Sequence, residues 1–371
     1  MKICILGSHD IVAGSRGGTV YMAEYLAEMG HSVTYVSSQA SFLARLRGGA
    51  GYRKPGVRNV EGGIQHVKPR TFAPWRLAAA ADRISAGGIV LGLNRLTERM
   101  TLPSPLRERF DLCVASAAGT LTLVDRIAAQ RYVYRRNDVL GGFAGVPRAL
   151  VRLEWDLLRS GLFSLASCVN AHLARDLEQH VSGLRTNVVP NGISLGLYET
   201  AEPDEVLLTT REKNVLFVGG VTHWVDVPLI LDTARLLPDH RFHLHGPWHV
   251  PVPRGPLPDN VSIRGPIGHT DAIRKMKASA VGIIPSGRAN EGRMVVKPIK
   301  FYEYLAAGMG IAATSNAGEG LEPFAAVGDG PQLFAQAIMD APARAARYHA
   351  DIDAELRAMD WKRIVPRIVE I

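Results

Sequence analysis

The segment Lys297-Pro-Ile-Lys300-Phe-Tyr-Glu303-Tyr-Leu-Ala-Ala-Gly308-Met-Gly-Ile311 sets a cation and an acid three residues apart. Read as helix, turn and strand, it has Pro298 at the first helical position, where a missing N–H costs nothing. Gly308 falls at the C-terminal cap, ahead of the apolar run Ile311-Ala-Ala313. Lys300 then lies in the first turn, beside N–H groups without an intrahelical partner and at the positive end of the helix dipole. Such a terminus attracts a diphosphate. Glu303, on the same face one turn deeper, suits the two hydroxyls of a ribose through charge-assisted hydrogen bonds. The same spacing also fits an ordinary surface pair worth roughly 0.2–0.5 kcal/mol.

A second group lies at Tyr134-Arg-Arg-Asn-Asp138-Val-Leu140. A carboxylate with the usual pKa of roughly 3.9 is ionised at neutral pH, as Asp138 would be at a strand end. Between Asn137 and Gly141-Gly142 it equally fits a turn or helix cap. Arg135 and Arg136 suit an acceptor diphosphate or a sugar carboxylate, or form a solvated charge pair. Gly17-Gly18 lets a loop approach a substrate ahead of a helix beginning near Thr19, or makes a plain turn. His240, His243, His245 and His249 admit a zinc site, since His243 and His245 share one strand face; they also read as histidines on a strand running into Gly246. Trp224 and Trp248 cover a nucleotide or pack on the core.

The elements that must position these residues alternate. Short β-branched runs at Ile3–Leu6, Ser32–Val36, Leu112–Ala115, Arg131–Tyr134, Ala166–Asn170 and Thr186–Val189 are separated by helical patterns. A second series follows at Asn214–Val218, Phe242–His245, Val261–Arg264, Ala280–Ile284 and Gly310–Thr314, with helices from about Asp226, Thr270, Pro298 and Gly320. Alternation of this kind implies parallel sheets covered by helices on both faces, here built twice. The break between Asn191-Gly192 and Arg211, with a turn signal and four acids, reads as the linker. Residues 351–371 carry apolar side chains at helical spacing. Strand one is followed by Gly7, Gly14, Gly17 and Gly18 without a GxGxxG, and strand two ends without an acid for a ribose, which argues against a dehydrogenase.

Composition narrows the classes. With 47% apolar and 21% charged residues, the 371-residue chain is neither a disordered tail nor a coiled coil. Cys4, Cys113 and Cys168 lack CxxC spacing, against a disulfide framework or thiolate metal site, and a reducing compartment is expected. The start lacks the apolar core of a signal peptide, and no uncharged run approaches the roughly 20 residues a bilayer requires. The net charge of +8 is uneven: residues 1–195 hold 24 basic against 14 acidic residues, and residues 196–371 hold 19 against 21. Between Arg45 and Arg109 there are 13 basic and 4 acidic residues, suited to an anionic surface. Within it, residues 72–100 mix Trp75, Ile84, Ile89, Leu93 and Leu96 with arginines, as a membrane-interface segment or as a helix packed on its own sheet. No nucleic-acid-reading motif accompanies the charge.

Taken together, the Pro298–Gly308 segment, the Asn187-Val-Val-Pro-Asn-Gly192 turn and Leu216-Phe-Val-Gly219-Gly220 resemble nucleotide-sugar glycosyltransferases of the GT-B fold, whose donor helix often reads P-x-K-x-x-E-Y-L-A-x-G. The resemblance implies an α/β fold of two Rossmann-like, doubly wound domains facing a central cleft. Residues 1–194 would bind the acceptor, residues 195–350 the nucleotide-sugar donor, and the helix at 351–371 would pack back on the first domain. By the same resemblance Gly219, Gly220, Gly246, Lys300 and Glu303 bind the donor, a UDP-sugar, with no cofactor and no metal. The lone D-x-D, Asp351-Ile-Asp353, stands in the helical C-terminal region, unlike that of metal-dependent GT-A enzymes. Retaining members of the largest GT-B family carry a second glutamate ahead of the ribose-binding one; here that place is Val295, with Glu291 nearby. The xanthan-type membrane-associated β-glucuronosyltransferases, with a first-domain strand ending Y-R-x-x-D, are the closer resemblance. It implies an inverting reaction with Asp138 as general base. Gly17, Gly18, Arg135 and Arg136 would meet a polyprenyl-diphosphate-linked saccharide at the cytoplasmic face of the membrane, in polysaccharide biosynthesis, with glucuronate as a donor sugar. A retaining GT-B enzyme and a non-catalytic glycan- or lipid-binding subunit of the same fold are the alternatives.

Overall fold

The computed structural model describes residues 1–13, 17–46, 54–116, 118–142, 145–253, 255–287, 297–318 and 320–371. Gly14, Glu291 and Val295 lie outside the described residues. The chain forms two compact units, residues 1–191 with 361–371, and residues 192–360.

The first unit has strands β1 (Lys2–Leu6), β2 (Ser32–Val36), β3 (Ala40–Ser41), β4 (Gly56–Asn59), β5 (Gln65–Lys68), β6 (Arg70–Thr71), β7 (Arg109–Ser116), β8 (Ala128–Arg136), β9 (Leu165–Cys168) and β10 (Thr186–Val188). Eight of them form one sheet in the order β10-β9-β8-β7-β1-β2-β5-β4, parallel except for β4; β3 and β6 make a separate pair. Its helices are α1 (Gly18–Glu28), α2 (Phe42–Leu46), α3 (Trp75–Ala81), α4 (Gly87–Met100), α5 (Arg148–Arg159) and α6 (Ala171–His180). A parallel sheet covered on both faces buries every side chain of its central strands, and Ile3, Cys4, Ile5 and Leu6 are all fully buried. Cys4, Cys113 and Cys168 are free and buried in this core.

The second unit opens with α7 (Leu195–Thr200) and α8 (Glu205–Leu208) and continues through β11 (Asn214–Val218), α9 (Val227–Leu236), β12 (Arg241–His245), β13 (Val261–Arg264), α10 (His269–Lys277), β14 (Val281–Ile284), α11 (Ile299–Ala306), β15 (Gly310–Ala313) and β16 (Ala325–Val327). It ends with α12 (Gly330–Arg347) and α13 (His349–Ala358). Its sheet, β13-β12-β11-β14-β15-β16, is wholly parallel. The order reverses between β11 and β14, and in the first unit between β1 and β7. Beyond the carboxyl ends of strands at such reversals, open α/β sheets bind their ligands.

Three expectations are corrected. Residues 351–371 are two helices: α13 belongs to the second unit, and only α14 (Trp361–Val369) joins the first. There α14 packs on α1, with Trp361 and Tyr21 stacked at 5.8 Å. The helix expected from about Gly320 begins at Gly330, where Pro331 supplies the first-turn proline, and β16 intervenes. Pro298 caps α11 from outside, so that Ile299 is the first helical residue. The sequence reading also passed over β4 and β5, four residues each, because β4 is exposed throughout and β5 buries two consecutive residues, so neither alternates.

Candidate functional site

Helix α11 ends as its sequence demands. Gly308, at φ 72°, donates to Leu305 O, and Met309 donates to Tyr304 O, both at 3.0 Å, a glycine-terminated cap that turns the chain into β15. Phe301, Tyr304 and Leu305 are buried. The missing side chain of Gly282 on β14 makes room for the Tyr304 ring, since a Cβ there would fall 2.3 Å from it. The Tyr304 hydroxyl accepts a hydrogen bond from the N–H of Val218 at 3.1 Å, tying α11 to the last residue of β11.

That packing brings Lys300 to the carboxyl end of β11. Its Nζ stands 4.3 Å from the centroid of the Phe217 ring. A Cβ on Gly219 would lie 2.8 Å from it. Burial lowers the ammonium pKa to about 8, against an upward pull from Glu303. Among the described residues Lys300 has no hydrogen-bonding or ion-pair partner. The first hydrogen bond of the helix is the one Phe301 donates to Pro298 O at 2.8 Å, leaving the N–H groups of Ile299 and Lys300 ahead of it.

Glu303, half-buried, lies 3.8 Å from Nε2 of His269, the first residue of α10. Gly219 and Gly246, at φ 147° and 144°, adopt conformations that favour glycine, and they press together: a Cβ on Gly246 would lie 2.0 Å from Gly219 O. Gly220 adjoins His249. The structure thus gathers Gly219, Gly246, Lys300 and Glu303 at one end of one sheet. Lys297 anchors the approach: at φ 40° its ammonium pairs with Glu355 on α13 and sits within 6 Å of the ring centroids of Phe301, Tyr302 and Phe324.

In the first unit, Asp138 lies two residues past β8 and is exposed at the carboxyl edge of the sheet. Arg135 and Arg136 do not join it, which corrects the expectation for both. Successive strand residues point to opposite faces, and both faces here are covered. Arg135 donates to Val189 O at 2.6 Å, Pro190 O at 3.1 Å and Asn191 Oδ1 at 3.0 Å, and its burial lowers its pKa to about 9. Arg136 pairs with Asp176 at 2.6 Å, donates to Leu173 O and lies over Trp155. Their guanidinium groups hold the unit together from within. Likewise, the missing Cβ of Gly17 makes room for His9, and that of Gly18 for Asn191 and Trp361.

No family model matches the chain, and no curated protein does. Solved structures do. Sucrose-phosphate synthase from Thermosynechococcus elongatus is 14% identical, with a TM-score of 0.69 over 100% of this chain and 97% of its own. HepE from Anabaena, solved with UDP and glucose, is 16% identical with a TM-score of 0.64 over 100% and 98%. A glycosyltransferase from Rickettsia africae is 12% identical with a TM-score of 0.59 over 100% and 97%. The fold is the GT-B fold.

Within this GT-B chain the histidine cluster lies on and beside β12. His243 bonds Ser262 Oγ at 3.1 Å, and His245 is buried, its pKa lowered to about 4 mainly by desolvation. Trp248 packs against the second core. Among the described residues no group of three or more His, Cys, Asp or Glu is arranged to hold a metal ion. No helix among them is long and apolar enough to cross a membrane. Helix α4 nonetheless buries Leu91, Asn94 and Glu98 while exposing Ile89, Leu96 and Met100, which are 68%, 52% and 73% exposed. Sequence reasoning missed Phe217, Tyr304, His269 and Lys297. For Lys297 a signal existed, a lysine directly before the Pro of the helix, and Phe217 and Tyr304 stand inside the two donor-domain motifs; for His269 there was none.

Proposed function

We propose that this protein is a nucleotide-sugar-dependent glycosyltransferase that takes its sugar from a UDP-sugar. The observation that carries this reading is Lys300 at the first turn of α11, beside Gly219 at the end of β11, with Glu303 on the same helix. Neighbours of the same fold support it: HepE was solved with UDP and with UDP-glucose. Lys300 and the first-turn amides of α11 contact the diphosphate, and Glu303 accepts from the ribose hydroxyls. As the glycosidic bond to the diphosphate breaks, the negative charge left on UDP is met by Lys300, those amides and the backbone of Gly219-Gly220. No divalent ion enters this mechanism.

On the acceptor side, Asp138 takes the proton of the attacking hydroxyl as its oxygen reaches the anomeric carbon, giving inversion. The Tyr134-Arg-Arg-Asn-Asp138 resemblance to xanthan-type β-glucuronosyltransferases supports this assignment and suggests glucuronate as a donor sugar. The acceptor is a lipid-linked saccharide, met by a peripheral protein at the cytoplasmic membrane face. The basic stretch from Arg45 to Arg109 and the exposed apolar side chains of α4 support the membrane contact.

Thermal denaturation of the full chain against a panel of nucleotide sugars tests the reading. A nucleotide at 100 times its Kd contributes about 2.7 kcal/mol, which raises Tm by roughly 5–10 °C in a unit of this size. A panel in which no uridine nucleotide moves Tm defeats the proposal. The anomeric configuration of the product, read by NMR, separates inversion from retention. An Asp138→Asn variant that behaves as the parent in every assay leaves a binding subunit.

A further inference from the structure

A small polar pocket opens at the edge of the first sheet. Antiparallel pairing of β4 with β5 sets Gly56 opposite Lys68 and Arg58 opposite His66, so these four positions share one face. The loop after β1 reaches over the end of β2 and delivers Asp10, whose carboxylate pairs with Lys68 Nζ at 2.9 Å. Lys54 and Val12 complete the rim. At Gly56 a Cβ would meet nothing within 4 Å, so the missing side chain leaves open space beside Lys68. His66, buried, bonds Ser37 Oγ at 2.8 Å, and desolvation lowers its pKa and favours the neutral ring.

Charge and volume decide what fits. Three cations, Lys54, Arg58 and Lys68, face one carboxylate, Asp10, which leaves a net charge of +2 around the pocket. Among the described residues Lys54 and Arg58 have no ion-pair partner. A singly charged carboxylate would leave one positive charge unmet. A phosphoryl group, carrying about −1.5 to −2 at neutral pH, matches the pocket and brings three acceptor oxygens for the Arg58 and Lys54 donors. The pocket holds about 150 Å³, below the roughly 300–1,000 Å³ of a site that swallows a whole small molecule. It takes a group, not a nucleotide. Its mouth lies at the carboxyl ends of β1, β2 and β5, the edge at which sheets of this kind bind ligands.

We infer that this pocket is a binding site for a phosphoryl group, a phosphate ester or diphosphate, held by Lys54, Arg58 and Lys68. The charged group is borne by a lipid-linked acceptor or is free phosphate or diphosphate. Only the first of these sources rests on the transferase reading.

Isothermal titration of the full chain with inorganic diphosphate, farnesyl diphosphate and farnesol tests the site. The Lys300→Ala variant is the parent, so that the second unit does not contribute. Both diphosphates should bind it, and Lys54→Ala with Arg58→Ala should weaken them at least tenfold; both side chains are exposed, and an unchanged melting curve confirms folding. Farnesyl diphosphate tighter than the inorganic ion assigns a lipid-borne group, and equal affinity assigns a free anion. Unchanged binding in the double substitution, farnesol binding as well as farnesyl diphosphate, or no diphosphate binding overturns the inference. UDP titrated into the unsubstituted chain reports separately: if it fails to bind while diphosphate binds the first unit, the proposed function falls and this site stands.

Discussion

The ammonium of Lys300 lies over the ring of Phe217, joining the first turn of a helix to the penultimate residue of a strand in the same unit. The contact holds a cation in a desolvated place at the mouth of a sheet, where water competes little and an arriving anion is attracted strongly. Burial in that place lowers the pKa of this lysine to about 8 while its helix stays well packed.

A pH dependence of defined sign follows from that lysine. Its pKa in the free protein lies below the ordinary 10.5, so the unfolded chain binds more protons between about pH 8 and 10.5, and the ligand-free fold gains stability as pH rises through that window. Nucleotide affinity moves the opposite way, falling as the ammonium deprotonates above about pH 8. A bound diphosphate raises the pKa again, so binding at pH 8 takes up protons. Calorimetry in buffers of different ionisation enthalpy reads this uptake, which Lys300→Met should abolish while weakening UDP tenfold or more. Uptake unchanged in Lys300→Met would place the titrating group elsewhere.

Gly246 meets backbone where Gly219 meets the end of a flexible side chain. Gly246→Ala drives a Cβ to 2.0 Å from Gly219 O at φ 144°, and it should lower the stability of the second unit by about 1–3 kcal/mol or more. A chemical denaturation curve matching the parent's would show that the two loops separate freely.

Arg135 holds the chain where it leaves β10. Arg135→Met strands Val189 O in a buried place and Pro190 O and Asn191 Oδ1 in half-buried ones, at about 1–3 kcal/mol for a buried group left unpaired. We expect a loss of about 3 kcal/mol or more in urea unfolding, with UDP affinity nearly unchanged. A selective loss of acceptor binding with full stability would restore this arginine to the acceptor site.

Asp138→Asn should reduce transfer at least a hundredfold, the scale of general-base catalysis, while UDP affinity stays within twofold. Binding and single-turnover assays on the same preparation separate the two effects. Equal activity would leave Asp138 with the role of a cap.

The α4 surface offers a membrane test. Replacing Ile89, Leu96 and Met100 by serine should release the protein from vesicles containing anionic lipid, and high salt should weaken the same binding by screening. Sedimentation with vesicles reads both. Association indifferent to salt and to the three substitutions would end the membrane assignment.

Local order was legible because it is written locally. A proline, an apolar stripe and a glycine eleven residues long in all announce α11 and its turn into β15, and alternating β-branched runs announce two parallel sheets. Lys300 and Glu303 stand out in the sequence because their spacing on one helix is a property of that helix. The fate of Arg135 and Arg136 was decided elsewhere: the oxygens that bind Arg135 arrive with a loop 54 residues downstream, and nothing near residue 135 records that both faces of its strand are covered. The Val218–Tyr304 bond, 86 residues apart, and the pairing of β4 with β5 are of the same kind. Propensity acts over one turn or one strand, whereas burial depends on what distant chain is folded over a residue. The sequence by itself therefore determined the elements and the face that α11 presents, and only the tertiary structure decided which charged side chains stay at the surface and which become part of the core.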